Sequence, residues 1–181
     1  MIKTDNIIVS VMNREKHKDI VNTVPHRNIL DLSVIYRSIN ETSDEGICSI
    51  IVNNNLLNKM ELNEEELFQL AMKNTEKLLP FCIEKIDSHF YVLTNPKRIF
   101  GAAGAFITNK LEALSNEYRR NLYILPSSVH EVFVLPDFGQ DSDYLKSVVE
   151  DANMTVVKPK DVLSDSVYYF NYQTKTMEVI K

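Results

Sequence analysis

Cysteine is scarce in this sequence: Cys48 and Cys82 are the only two among 181 residues. Each lies in an apolar run, so both are expected as buried, reduced thiols and not as a disulfide, which suits a reducing compartment such as the cytoplasm. No apolar run approaches the roughly 20 residues needed to cross a bilayer, so no membrane role is expected. The opening residues MIKTDNIIVSVMN are too short and too interrupted for a secretory signal. No internal repeat or low-complexity tract is visible, which excludes a solenoid. Metal ligands are dispersed as well. His17, His26, His89 and His130 are scattered and the cysteines lack paired spacing, so neither a metal nor a cofactor is expected.

Positive charge is also in the minority. The formal net charge is −5, which argues against a generic nucleic-acid binder, since such domains are usually basic. The imbalance is local. Residues 1–40 carry a net +2, 41–76 a net −6, 77–120 a net +3 and 121–181 a net −4. The acidic block, with ETSDEG followed by ELNEEE, reads either as a solvated helix face or as a surface complementary to a basic groove. Glu64, Glu65 and Glu66 are its candidate binding residues.

The chain is long enough to bury about 70% of its unfolded surface without staples. Its apolar fraction of 44% and charged fraction of 25% are those of a globular protein. NIIVSVM (6–12), LDLSVIYRSI (30–39) and GICSIIVN (46–53) read as strands, with NREKHKDIVNTV a polar turn or short helix before Pro25. LNEEELFQLAMKNTEKLLP is the clearest helix, capped by Asn63 and ended by Pro80. FCIEKI, FYVLTN and IFGAAGAFI read as strands, and TNKLEALSNEYRR as a helix that Thr108 or Asn109 can cap. LYILPSSVHEVFVLPD reads as two strands around a polar tip, DSDYLKSVVEDAN as a helix, and SVYYFNYQTKTMEVI as a closing hairpin. Strand runs mixed with segregated helices predict an α+β fold: a mixed, mainly antiparallel sheet with about three helices, as one compact domain over residues 1–181.

The polar tip holds Ser127, Ser128, His130 and Glu131. A hydrolase or nuclease could use His130 and Glu131 with Asp165. A nucleophilic serine, however, needs a base, an orienting acid and an oxyanion hole. The GxSxG elbow is absent, and HEVFV lacks the second histidine of a zinc helix. Local capping by the serines explains the tip without catalysis. GAAGAF (101–106) lacks the Lys-Ser/Thr of a phosphate loop; small residues there suit close packing of a helix on a strand. Arg27 in VPHR, Lys97 and Arg98 in NPKR, and Arg119 with Arg120 form either a phosphate-contacting patch or scattered surface cations. In VYYFNY, alternation places Tyr168, Phe170 and Tyr172 on one face and Tyr169 on the other, where it can serve as an exposed anchor.

Taken in order, VPHRNILDLSVIYR, LYILPSSVHEVFVLP and VLSDSVYYF resemble a bacterial domain family of unknown function, across about residues 6–181. The chain looks like a branch of that family encoded by phages or plasmids as an anti-CRISPR that inhibits type II-A Cas9. The resemblance implies a non-enzymatic protein in the cytoplasm of a bacterial host. Its implied partner is guide-loaded Cas9, with double-stranded DNA as a second contact. It brings no catalytic residues with it. Two other readings remain: a mobile-element accessory protein that binds another host factor, and the small hydrolase.

Overall fold

The computed structural model describes residues 3–43 and 46–180. The chain divides into two compact units, Met1–Pro80 and Phe81–Lys181.

The first unit is built on a four-stranded antiparallel sheet. Its long central strand is β3 (Leu32–Ser43), flanked on one side by β1 (Ile7–Asn13) and on the other by β2 (His26–Ile29). The far half of β3 pairs with β4 (Gly46–Ile51) on both sides of a bulge between Ile39 and Glu41. Short helices α1 (Lys18–Val21) and α2 (Asn54–Lys59) follow β1 and β4, and α3 (Glu64–Leu78) closes the unit. Met12, Val21, Val24 and Ile35 form one apolar cluster.

All seven residues of β1 are buried, although it is an edge strand. Exposed edges are aggregation templates, and a buried edge needs partners for its outward N–H and C=O groups. Helix α3 supplies them. The Thr75 hydroxyl accepts from the Val9 N–H at 3.0 Å and donates to the Ala71 carbonyl. The Asn74 amide donates to the Ile7 carbonyl at 3.0 Å and to the Thr4 carbonyl at 2.7 Å. Both polar side chains are themselves buried.

The second unit carries a six-stranded antiparallel sheet in the order β10-β9-β7-β8-β6-β5. Its strands are β5 (Cys82–Asp87), β6 (Phe90–Thr94), β7 (Leu122–Leu125), β8 (Val132–Pro136), β9 (Val167–Phe170) and β10 (Met177–Ile180). Helix α6 (Ser142–Thr155), capped by Asp141, packs Leu145 and Val149 on Tyr123, Leu125 and Val167. Alternation turns Tyr168 to the opposite face, where its ring meets Phe106 of α4 (Ala103–Ile107) edge-on at 5.1 Å. Helix α5 (Lys110–Tyr118) follows α4. The sheet therefore has helices against both faces.

Several expectations are corrected. In place of a mixed sheet with about three helices, the α+β architecture has two wholly antiparallel sheets, of four and six strands. Six α-helices occur among the described residues, three of them seven residues or longer. IFGAAGAFI is not a strand. Its small residues form α4, whose glycine permits contact that a larger residue would block: a Cβ on Gly104 would lie 2.7 Å from the Phe81 ring. Strand β2 opens at His26, inside the VPHR stretch. The cysteines are free, as expected, but not buried: Cys48 is exposed and Cys82 half-buried. Cys48 and Ile50, two residues apart on β4, project to the same face of the strand, and that face is open to solvent.

The seal on β1 makes a test. Thr75→Val keeps the shape but leaves the Val9 N–H buried without an acceptor. It should lower stability by about 1–3 kcal/mol, seen as a lower urea midpoint at unchanged slope. Thr75→Ser, which keeps the hydroxyl, should lose less.

Candidate functional site

Three polar clusters carry the residues singled out by the sequence. The first is the tip between β7 and β8. There the Ser128 hydroxyl accepts from the main-chain N–H of His130 at 3.1 Å, and the Ser128 N–H donates to the Glu131 carbonyl. Nδ1 of His130 accepts from the Phe100 N–H at 3.2 Å. This places the imidazole proton on Nε2, which lies 3.5 Å from Asp161 Oδ1. The His130 carbonyl takes the Thr94 hydroxyl at 2.9 Å, and the Val129 N–H donates to the Asp161 carbonyl. Asp161, not Asp165, is the carboxylate beside the ring; Asp165 accepts from Asn153. The tip is thus fastened to the 94–101 segment and to the 3-10 turn Pro159–Asp161. Gly101 is part of this fastening, since a Cβ there would sit 2.6 Å from the His130 carbonyl oxygen.

Arg98 belongs to the same neighbourhood. It bridges Glu84 at 2.6 Å and Glu131 at 3.0 Å. These are exposed pairs, each worth about 0–1 kcal/mol. Lys97 is exposed on the adjacent turn, where its N–H donates to Asn95.

The second cluster, in the first unit, joins residues that the sequence assigned to opposite surfaces. Nε of Arg27 donates to both Glu64 oxygens, at 2.8 and 3.0 Å, and Nη2 donates to Glu65. The guanidinium lies 3.9 Å from the centre of the Phe68 ring. The buried Tyr36 hydroxyl donates to Glu64 as well. Burial first, then the bond to Glu64, pushes the Tyr36 phenol up, and the Glu64 contact raises the Arg27 guanidinium further. Gln69 and then Arg27 pull Glu65 below the usual carboxylate range. Glu66 is engaged differently: its carboxylate accepts from the Asn63 N–H while Asn63 accepts from the Glu66 N–H, a reciprocal helix cap. The acidic run is therefore partly neutralised by Arg27 and partly absorbed in starting α3.

The third cluster surrounds a groove of about 540 Å³ in the second unit, and it is the candidate site. Three turns line it: Arg119–Asn121 after α5, Asp137–Gly139 after β8, and Asn171–Gln173 between β9 and β10. Arg119, in the lining, caps the C-terminus of α5 in the left-handed region, at φ 54°. Arg120 stacks on Phe138, 4.8 Å to the ring centre, and donates to the Asp137 carbonyl at 3.2 Å. Gly139, at φ 90°, supplies the backbone conformation that this turn needs.

Tyr169 lies half-buried behind that lining. Its hydroxyl donates to Asp137 Oδ2 at 2.5 Å and accepts from the Asn121 amide at 2.8 Å. Asp137 Oδ1 accepts from the Gly139 N–H at 2.8 Å. Tyr169 is thus a strut for the Asp137 turn and not the exposed anchor that alternation suggested. Burial and the bond to Asp137 push its phenol up to about 12. Arg119, Arg120 and Tyr169 stand out in the sequence, whereas Asn121, Asp137, Phe138 and Asn171 do not. Their one local signal was the turn chemistry of PDFG and NYQT.

Among the described residues no group of three His, Cys, Asp or Glu side chains could hold a metal ion. No described helix is long and apolar enough to cross a membrane.

The Tyr169 strut predicts a pH dependence. A phenol raised in the folded state stabilises fully below its unfolded value near 10, and that contribution is lost as pH rises through about 12. Tyr169→Phe should therefore destabilise the protein at pH 8. Denaturant midpoints of variant and wild type should converge as pH rises from about 10 to about 12.

Comparison with known proteins adds one match. The model of the family described as "Family of unknown function (DUF5688)" matches residues 2–90 and 85–172. No curated protein and no solved structure matches the chain.

Proposed function

Because the chain belongs to the family of unknown function DUF5688, no inherited reaction directs the reading of its sites, and we propose that it is a binding protein acting by stoichiometric occupation of a partner, not by turnover. One contrast between the clusters supports this. At the polar tip, Ser128, His130 and Glu131 are occupied in holding neighbouring segments together. At the groove, Arg119 makes no side-chain hydrogen bond or ion pair among the described residues, so recognition chemistry is left open there.

The partner implied by the motif resemblance is guide-loaded type II-A Cas9, and the chain would act as an anti-CRISPR that blocks target recognition or cleavage. The net charge of −5 supports such an encounter. Cas9 holds nucleic acid in positively charged channels, and a field of opposite sign speeds association. For a second contact with duplex DNA, the candidate cations that are exposed and hold no carboxylate among the described residues are Lys97, Arg119 and Arg120; Arg98 is exposed but paired with Glu84 and Glu131. Glu64 and Glu65 are poorer candidates for direct contact, because Arg27 already holds both.

The test is a titration of guide-loaded Cas9 at fixed concentration, read as cleavage of a target duplex. Inhibition should be complete near one equivalent and should not deepen with incubation time. Undiminished cleavage at ten equivalents would reject Cas9 and leave another host factor as the partner. Degradation of the duplex by the chain alone, lost in a folded His130→Ala variant, would reinstate the hydrolase.

A further inference from the structure

The geometry points to the groove at Arg119–Asn121, Asp137–Gly139 and Asn171–Gln173 as a binding site for a phosphate monoester carried on a small molecule. This assignment is independent of the Cas9 reading and rests on the lining alone.

The acidic side chain of the lining is already engaged by hydrogen bonds within its own turn, while its cations are not matched by carboxylates. Asp137 is the one acidic residue in the lining. Its two oxygens are occupied by the Tyr169 hydroxyl and the Gly139 N–H. With its phenol pushed up to about 12, Tyr169 remains a neutral donor at physiological pH. The carboxylate is thus directed into the turn that it braces. The cations are not neutralised in return. Arg120 donates one Nη1 bond to a main-chain carbonyl and rests on Phe138, and Arg119 has no side-chain hydrogen bond or ion pair among the described residues.

The groove also has a surplus of donors. Asn171 uses its Oδ1 to accept from the Gln173 and Thr174 N–H groups, at 2.8 and 3.0 Å. That fixes the orientation of its amide, whose two Nδ2 protons have no acceptor among the described residues. Asn121 is committed on both sides, since Oδ1 accepts from the Tyr172 N–H and Nδ2 donates to Tyr169. Arg120 itself is held in place by Phe138. The groove therefore presents donors on a braced frame, which lowers the ordering cost of binding.

Ligand chemistry follows from that count. A carboxylate has two oxygens and one charge, and a single guanidinium fork saturates it. Two adjacent guanidinium groups and an amide match a group with three terminal oxygens and nearly two charges, which a phosphate monoester supplies. The volume of about 540 Å³ lies in the range of small-molecule sites, which favours a small carrier over a macromolecule.

The experiment is titration of the full chain at constant ionic strength, followed by calorimetry and by amide and guanidinium NMR signals. The probes are glycerol 3-phosphate, phenyl phosphate, benzoate, a phosphoserine peptide, and a short DNA duplex with 5′-hydroxyl ends. Both phosphate monoesters should bind one to one, with shifts at Arg119, Asn171 and Gln173, and benzoate at least tenfold more weakly. Arg119→Gln, which removes no internal bond, should weaken the monoesters about tenfold or more. Asn171→Asp, which adds a negative charge at the same place, should weaken them too. Equal binding of benzoate, or monoester affinity unchanged in Arg119→Gln, would overturn the assignment. So would failure of both monoesters to bind. A duplex or phosphopeptide that binds tenfold more tightly than either monoester, through Arg119, would overturn the small-molecule carrier.

Discussion

A main-chain N–H or C=O that leaves water without a partner costs about as much as a lost hydrogen bond. Much of this structure is an answer to that constraint. In the first unit it requires Asn74 and Thr75 on the inner face of α3, polar residues in positions where the helical pattern alone would ask for apolar ones. In the second unit it sets the role of the polar tip, where a histidine and a serine act as acceptors for main-chain donors. It also sets the role of Asn121 and Asn171, whose side-chain oxygens close the β9–β10 turn. Residues that resemble catalytic or recognition groups by type are thus mostly bound to backbone. The groove stands out because Arg119, in its lining, makes no side-chain hydrogen bond or ion pair among the described residues.

Charge behaves in the same way. A window count over 41–76 gives −6, yet the side chains of that window do not present a uniform field. Glu64 and Glu65 grip Arg27, and Glu66 closes the first turn of α3. The pairing links the start of α3 to strand β2, with Tyr36 of β3 as fourth member. Its charged members, Arg27, Glu64 and Glu65, are partly screened by water, so its value lies in aligning α3 on the sheet more than in raw stability.

The elements most legible in the sequence were those with a local signature. Helix α3 carries its reciprocal cap in Asn63 and Glu66, and α6 carries Asp141 before an apolar stripe. The strands around the polar tip and the closing hairpin were visible from β-branched and aromatic runs. IFGAAGAFI was misread as a strand because alanine and glycine carry no period, although the close helix packing expected of its small residues is what the Phe81 ring and Leu93 make against Gly104. Pairing between Arg27 and Glu64 was invisible because 37 residues separate them. The groove was half legible. Arg119 and Arg120 stood out as adjacent cations, but three turns from distant parts of the chain make the site, and no local pattern joins them.

The seal on β1 has a consequence for the order in which this chain can be made. Val9 and Thr75 lie 66 residues apart, so a chain emerging from the ribosome presents β1 and β3 long before α3 exists to cover them. During that interval the apolar strand Ile7–Asn13 has an open edge of the kind that recruits other strands. Synthesis of the first unit is therefore most exposed to misassembly just before residue 75 is released, and a pause there would prolong the hazard.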